Sequence, residues 1–156
     1  MKKAISIFLS LFLVAATACA KGTGSNATPQ GESQMKIKID ITSDTGKHSL
    51  TATLIDNSSA RAFYELLQKA PVTIKMHDYG SFEKIGSLGT SLLRNDTQIT
   101  TSAGDIILYQ GNQITIYYDK NSWNFTRLGK VDGKTAAEIK AVVGKGDITA
   151  TFSVME

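Results

Sequence analysis

From Met35 onward, apolar side chains recur at every second position in one short run after another. Met35, Ile37, Ile39 and Ile41 alternate with Lys36, Lys38, Asp40 and Thr42, the period of a strand with one buried face and one wet face. Leu50, Ala52 and Leu54 resume the alternation beyond an Asp44-Thr45-Gly46 turn, which predicts a hairpin. Val72, Ile74 and Met76 alternate again and put Lys75, His77 and Tyr79 on the opposite face. Ile106 and Leu108, then Gly111-Asn112, then Ile114, Ile116 and Tyr118 read as the clearest hairpin of the chain. Phe125 to Gly129 reads as a further short strand, and Ile148, Ala150, Phe152 and Val154 as the last. Between Gly80 and Gly104 there is little regular signal beyond the apolar Leu88 to Leu93, and an irregular segment is expected there.

Two stretches break this period in favour of helical spacing. Asp56-Asn57-Ser58 offers short side-chain oxygens to free backbone N–H groups, as a helix start requires. Ala62, Phe63, Leu66, Leu67 and Ala70 follow at helical spacing until Pro71, which predicts a helix near Ser58–Lys69. Thr135-Ala136-Ala137-Glu138 is a capping box, and Ile139, Val142 and Val143 form an inner face that Gly144 ends, near Ala136–Val143. Many short strands, two short helices and one core predict a mainly β domain, with the helices plugging the ends of a barrel.

The N-terminal residues are of a different kind. Lys2 and Lys3 precede an apolar run from Ile5 to Ala16, too short for a membrane-spanning helix and built like a secretory signal. Small residues lead directly to Cys19, as in the lipobox of bacterial lipoproteins, where the cysteine becomes the lipidated first residue. Ala18-Cys19-Ala20 also fits ordinary cleavage after Ala20. The expected division is a signal peptide over 1–19, a tether over 20–34 and a barrel over 35–156. The product is expected to be exported to the cell envelope, facing the periplasm or the exterior, and to touch the membrane through its lipid alone. The tether lacks any large apolar side chain from Lys21 to Gln34, so it cannot offset its own ordering entropy, and its r.m.s. reach is roughly 20 Å. Loss of the signal removes two of the 17 basic residues that face 14 acidic ones, leaving charge near balance. No Lys/Arg cluster remains, which argues against a nucleic-acid partner. Cys19 is the single cysteine, so the domain has no disulfide and no thiolate metal site.

Several strings then stand together in order: Asp56-Asn57 followed by Ala60, Phe82-Glu83-Lys84-Ile85-Gly86 with Leu88, Gly104-Asp105-Ile106 with Tyr109, Ile114 with Ile116-Tyr117-Tyr118, and Leu128-Gly129-Lys130-Val131. In that order they resemble the small bacterial and archaeal cyclophilin-like domains, over nearly all of Met35 to Glu156. Gly89 departs from the pattern, standing where that family tends to have proline. The resemblance implies a closed β-barrel with two short helices, and it implies no activity, because fold does not determine function.

Phe125-Thr126-Arg127-Leu128 is similar to the Phe-x-Arg string that carries the catalytic arginine of true cyclophilins. In those enzymes the string follows the first helix, and here that slot, Val72 to His77, has no arginine. Isomerisation needs a fixed cation beside the proline nitrogen in an apolar pocket, so Arg127 is read as a strand residue and no catalytic residue is assigned. His77 and Asp78 are consecutive in a strand and point to opposite faces, so they cannot share a metal. Glu83-Lys84 reads as a solvated pair in a loop, and Gly144-Lys145-Gly146-Asp147 as a helix end rather than a phosphate loop. Tyr109, Tyr117, Tyr118, Trp123 and Phe125 concentrate the aromatic rings, with Trp123 in a turn after Asp119-Lys120-Asn121; they read first as a cap on the barrel end and second as a recognition surface near its mouth.

The expectation is a non-catalytic module that binds a peptide, a protein or a small ligand without metal or cofactor. Prolyl isomerisation is the alternative, and a partner module for redox flavoproteins a further one. Tyr79, Glu83, Trp123 and Arg127 are expected to border one concavity, because loops on a rigid scaffold carry binding residues.

Overall fold

The computed structural model describes residues 34–155. The signal, Cys19 and nearly all of the tether lie outside the described residues. Two strands, β1 (Lys36–Ser43) and β2 (Gly46–Leu54), form the first hairpin, with Ser43 paired to Gly46 across Asp44-Thr45. Helix α1 (Ser58–Lys69) begins where the sequence places it: the Asn57 side chain accepts a hydrogen bond of 2.7 Å from the Ala60 backbone N–H. Strand β3 (Val72–Tyr79) follows, then β4 (Glu83–Ser87), β5 (Thr97–Thr100), β6 (Asp105–Tyr109), β7 (Gln113–Tyr117) and β8 (Ser122–Val131). Helix α2 (Ala136–Val143) has the full capping box between Thr135 and Glu138, and β9 (Ile148–Val154) ends the domain.

All pairings are antiparallel, in the order β2-β1-β9-β3-β4-β7-β6-β8, and β8 returns to β2 through Ala52↔Val131, Thr53↔Lys130 and Leu54↔Gly129. Eight strands therefore close a barrel, and closure removes the free edges of those eight strands. β5 lies outside it, paired to the first half of β8. The seam is tight. A Cβ at Gly129 would stand 2.5 Å from the Thr53 carbonyl oxygen, so the closure requires glycine there.

The inward residues are those the alternation selects: Ile37, Ile39 and Ile41, Leu50, Ala52 and Leu54, Ile106 and Leu108, Ile114, Ile116 and Tyr118. Phe63 of α1 meets Phe152 of β9 edge to face, and Ile139 and Val143 of α2 join the same core. Two expectations are corrected. The Gly80–Gly104 segment contains β4 and β5, and Trp123 stands in β8 opposite Ile99 rather than in a turn.

A second, smaller core lies outside the barrel wall, where Ile107, Tyr117 and Phe125 are buried against Phe82, Ile99 and Tyr109. It hides the outer faces of β4, β6 and β7, which accordingly read as continuously buried strands.

Candidate functional site

The register sorts the side chains of β3, β4 and β7 onto two faces. Asp78 pairs with Lys84, and Lys84 with Ile116, on the inner face. His77 and Tyr79, opposite Ile85 and Glu83, share the outer face with Thr115 and Tyr117. Glu83-Lys84 is thus not a solvated loop pair. Both residues are buried in β4, at 5 % and 0 % exposure, and point apart.

Inside, Lys84 Nζ donates to Asp78 Oδ1 at 2.8 Å and to the Gly146 carbonyl at 2.7 Å, and lies 5.5 Å from the Tyr118 ring centre. The Tyr118 hydroxyl donates to the same Asp78 oxygen at 2.7 Å. Burial opposes ionisation of Asp78, but the hydrogen bonds from Lys84 and Tyr118 together outweigh it, and its pKa lies below the usual aspartate value. The inner network is polar but satisfied.

Outside, the wall opens into a concavity of about 410 Å³. Its floor is made by the buried Glu83, Ile85, Tyr117 and Phe125. Tyr79 and Trp123, 58 % and 62 % exposed, stand at its rim, with Phe82 and Tyr109 between. Five of the rings touch in series: Tyr79 edge-on to Phe82, Phe82 stacked on Tyr117 at 6.0 Å and 9°, Tyr117 against Phe125, and Phe125 against Tyr109. The turn that delivers Phe82 requires backbone that L-residues rarely adopt: Gly80 and Ser81 have φ of 59° and 58°. A side chain at Gly80 would strike the Phe82 ring, which folds over it.

Glu83 is the anomaly of this apolar floor. Its Oε2 is buried without a hydrogen-bond partner, and so is the neighbouring Thr115 Oγ1. Burial raises the pKa of the Glu83 carboxyl; the adjacent Tyr117 and Thr115 hydroxyls favour the charged form without reversing that. Burial, then the Glu83 charge, push the Tyr117 hydroxyl well above its ordinary pKa, so it stays a neutral donor. A buried carboxyl with unused acceptor capacity, walled by rings in a cleft, is the pattern of a ligand site rather than of a structural ion pair.

Of the four residues expected around one concavity, Tyr79, Glu83 and Trp123 line it and Arg127 does not. Arg127 has the outward parity of Trp123 and Phe125, but Asp105, only 1 % exposed, holds its guanidinium at 2.9 Å. Leu128 is an extra residue between the pairs Ile107↔Arg127 and Ile106↔Gly129, a bulge that locally re-aims the strand. Tyr109, Tyr117 and Phe125, expected as recognition rings, also line it, whereas Phe82, Ile85, Gln113 and Asn121 carry no site signal in the sequence. The rings sit on the barrel's outer wall rather than at its mouth. Among the described residues, no group of three or more His, Cys, Asp or Glu side chains could hold a metal ion, and no helix is long and apolar enough to cross a membrane.

The sequence pattern of the Cyclophilin-like family matches residues 43–153. A hypothetical protein from Archaeoglobus fulgidus, known from its solution structure, superposes with a TM-score of 0.53 at 11 % identity, covering 78 % of this chain and 97 % of that one. At that identity the likeness concerns the fold alone. No curated protein matches the chain.

Proposed function

The chain belongs to the Cyclophilin-like family, and on that barrel we propose a non-catalytic binding module whose outer-wall concavity receives a small ligand or a peptide side chain. One observation carries the reading: Glu83 lies on the floor of an aromatic concavity of about 410 Å³ with Oε2 buried and unpaired. Small-molecule sites are mostly apolar clefts of roughly 300–1,000 Å³ with a few polar groups that orient the ligand. The volume and chemistry fall within that description. A chemical-shift screen of the domain against small molecules and short peptides tests it. Ligand-induced shifts should cluster on Tyr79, Glu83, Tyr117 and Trp123; hits that map elsewhere on the barrel, or a screen without hits, would sink the reading.

Prolyl isomerisation is less well supported, because it needs a cation at the pocket and the Arg127 guanidinium is engaged by Asp105. Isomerase activity of the parent that Arg127→Ala abolishes would reverse that preference. Partnership with a redox flavoprotein has no residue in its favour. We also propose export with a lipid on Cys19, the tether giving the barrel a reach of roughly 20 Å from the membrane. Replacing Cys19 with alanine should release the protein from membranes; unchanged association would rule out this anchor.

A further inference from the structure

We propose that the ligand of this concavity is an organic ammonium ion, its cationic head seated between Glu83 and the aromatic walls. The inference rests on the binding reading above and adds the charge of the ligand to it. Three observations converge on a cation. The floor offers one carboxyl, that of Glu83, a residue 5 % exposed whose Oε2 is buried without a hydrogen-bond partner among the described residues, the Tyr117 and Thr115 hydroxyls lying beside the carboxyl. The walls are six rings, from Tyr79, Phe82, Tyr109, Tyr117, Trp123 and Phe125. Among the described residues no lysine or arginine lines the space, the guanidinium of Arg127 being turned to Asp105.

Each observation excludes a different kind of ligand. An anion would meet a carboxylate and the negative faces of aromatic rings, with the His77 imidazole as the one basic side chain in the described lining. A neutral apolar ligand would fill the space but leave Glu83 Oε2 buried and unpaired, which costs free energy. A hard metal cation needs several oxygen ligands, and a single carboxyl is too few. An organic ammonium ion satisfies both halves of the site. It supplies the missing charge to Glu83, and its weakly hydrated alkyl groups lie against ring faces, where a cation is attracted by the ring quadrupole. The polar lining residues Gln113 and Asn121 remain for a substituent on the ligand.

Trp123 makes the test direct, because it is the sole tryptophan of the chain and stands at the rim. Its fluorescence should respond saturably to choline, but at least tenfold more weakly to neohexanol, the uncharged carbon isostere, and not to pivalate. A tetrapeptide bearing one trimethyllysine, titrated alongside, tells a free amine from a side chain by which binds tighter. Glu83→Gln should weaken choline binding by about tenfold, and Tyr79→Leu, which keeps the apolar bulk and removes the ring, by about three- to fivefold. Tyr79 is mostly exposed, so the second variant stays informative should the first fold poorly. Equal binding of choline and neohexanol, or binding of pivalate, would overturn the ammonium inference and leave the binding module standing. Silence towards every probe would also overturn it, and the chemical-shift screen then decides the binding reading on its own.

Discussion

Glu83 and Lys84 are consecutive, oppositely charged and both buried, yet they do not pair with each other: strand geometry sends them to opposite sides of the barrel wall. Lys84 enters the barrel and finds Asp78, the Gly146 carbonyl and the face of Tyr118. Glu83 turns outward into a floor of rings and finds no partner for Oε2. One charge is compensated within the barrel, while the other keeps a buried oxygen without a hydrogen-bond partner among the described residues.

The inner charge should behave as a structural element. Lys84→Met keeps the bulk and removes the donor, leaving the Gly146 carbonyl and Asp78 short of a partner. Loss of one member of a buried pair costs about 3–5 kcal/mol, and because the Asp78 side chain is 36 % exposed a smaller loss, about 2–3 kcal/mol, is expected. The sign of its pH dependence is fixed. The folded pKa of Asp78 is lowered, so the stability from this pair is full above the ordinary aspartate value and is lost as pH falls through the lowered one. Urea unfolding of parent and variant should therefore differ most at pH 7, and the gap should narrow in strong acid to what the bond to the Gly146 carbonyl contributes. A gap that did not narrow in acid would mean that the charge pair with Asp78 contributes nothing to stability.

The closing seam gives a second outcome. Gly129 is not in left-handed backbone, and it is required by proximity: an added Cβ would crowd the Thr53 carbonyl oxygen at 2.5 Å and Leu54 at 2.9 Å. Both neighbours are strand backbone and cannot rotate away. Gly129→Ala is expected to destabilise by about 2–3 kcal/mol, the usual cost of overpacking, with a lowered midpoint in thermal unfolding. Gly133→Ala should show no such crowding, since nothing stands within 4 Å of a Cβ there, and should lose only the backbone cost of its positive φ, about 1–2 kcal/mol. Equal losses at the two glycines would remove the argument that the seam sets the residue.

What sequence made legible follows from which faces are wet. β1, β2, β3 and β9 have one core face and one face with polar residues, and their alternation locates them directly. The helices announce themselves through Asn57 and through the Thr135–Glu138 box. β4 is illegible because both of its faces are covered, the inner by the barrel and the outer by the second core, so Glu83-Lys84-Ile85-Gly86 carries no alternation to find. β5 is four mostly polar residues held by β8 alone. The signal for the second core was present in Ile106-Ile107-Leu108, which has no polar residue at the outward position. Arg127 was misjudged for a different reason. Parity gave its face, but the bulge at Leu128 and the buried Asp105 decide where the guanidinium goes.

That pairing yields a third outcome. Asp105 is 1 % exposed and is held by Arg127 at 2.9 Å, by Lys130 at 3.5 Å and by the Ser102 backbone N–H at 2.9 Å. Arg127→Ala strips the closest cation from a buried carboxylate but leaves the other two donors. A loss of about 1–3 kcal/mol in unfolding free energy is expected, less than for a carboxylate left wholly unpaired. The same variant should leave choline binding within about twofold, since Arg127 does not line the concavity. In a proline-peptide isomerisation assay, parent and variant should both run at background. Stability unchanged but binding abolished would invert the roles assigned here to Arg127 and Glu83.

Glu83 itself should be a residue that the empty protein would be more stable without. Its carboxyl is buried without a counter-ion, and its folded pKa is raised above the unfolded value. For an acid shifted in that direction, folding is unpenalised below the unfolded pKa, and stability is lost as pH climbs from there through the raised folded value. The titratable groups around it are His77 and Tyr79 from β3, Tyr109 from β6 and Tyr117 from β7. Glu83→Gln is nearly isosteric and keeps an unpaired oxygen on the floor, so it removes the charge and little else. Its melting temperature should exceed the parent's by about 1–4 °C at pH 8 and match it near pH 3. Residues retained against stability tend to be retained for function, so the same substitution should stabilise the fold and weaken choline together. If Glu83→Gln melted lower than the parent at pH 8, the carboxylate would be a structural group with a partner, and its availability to a cation would have to be given up.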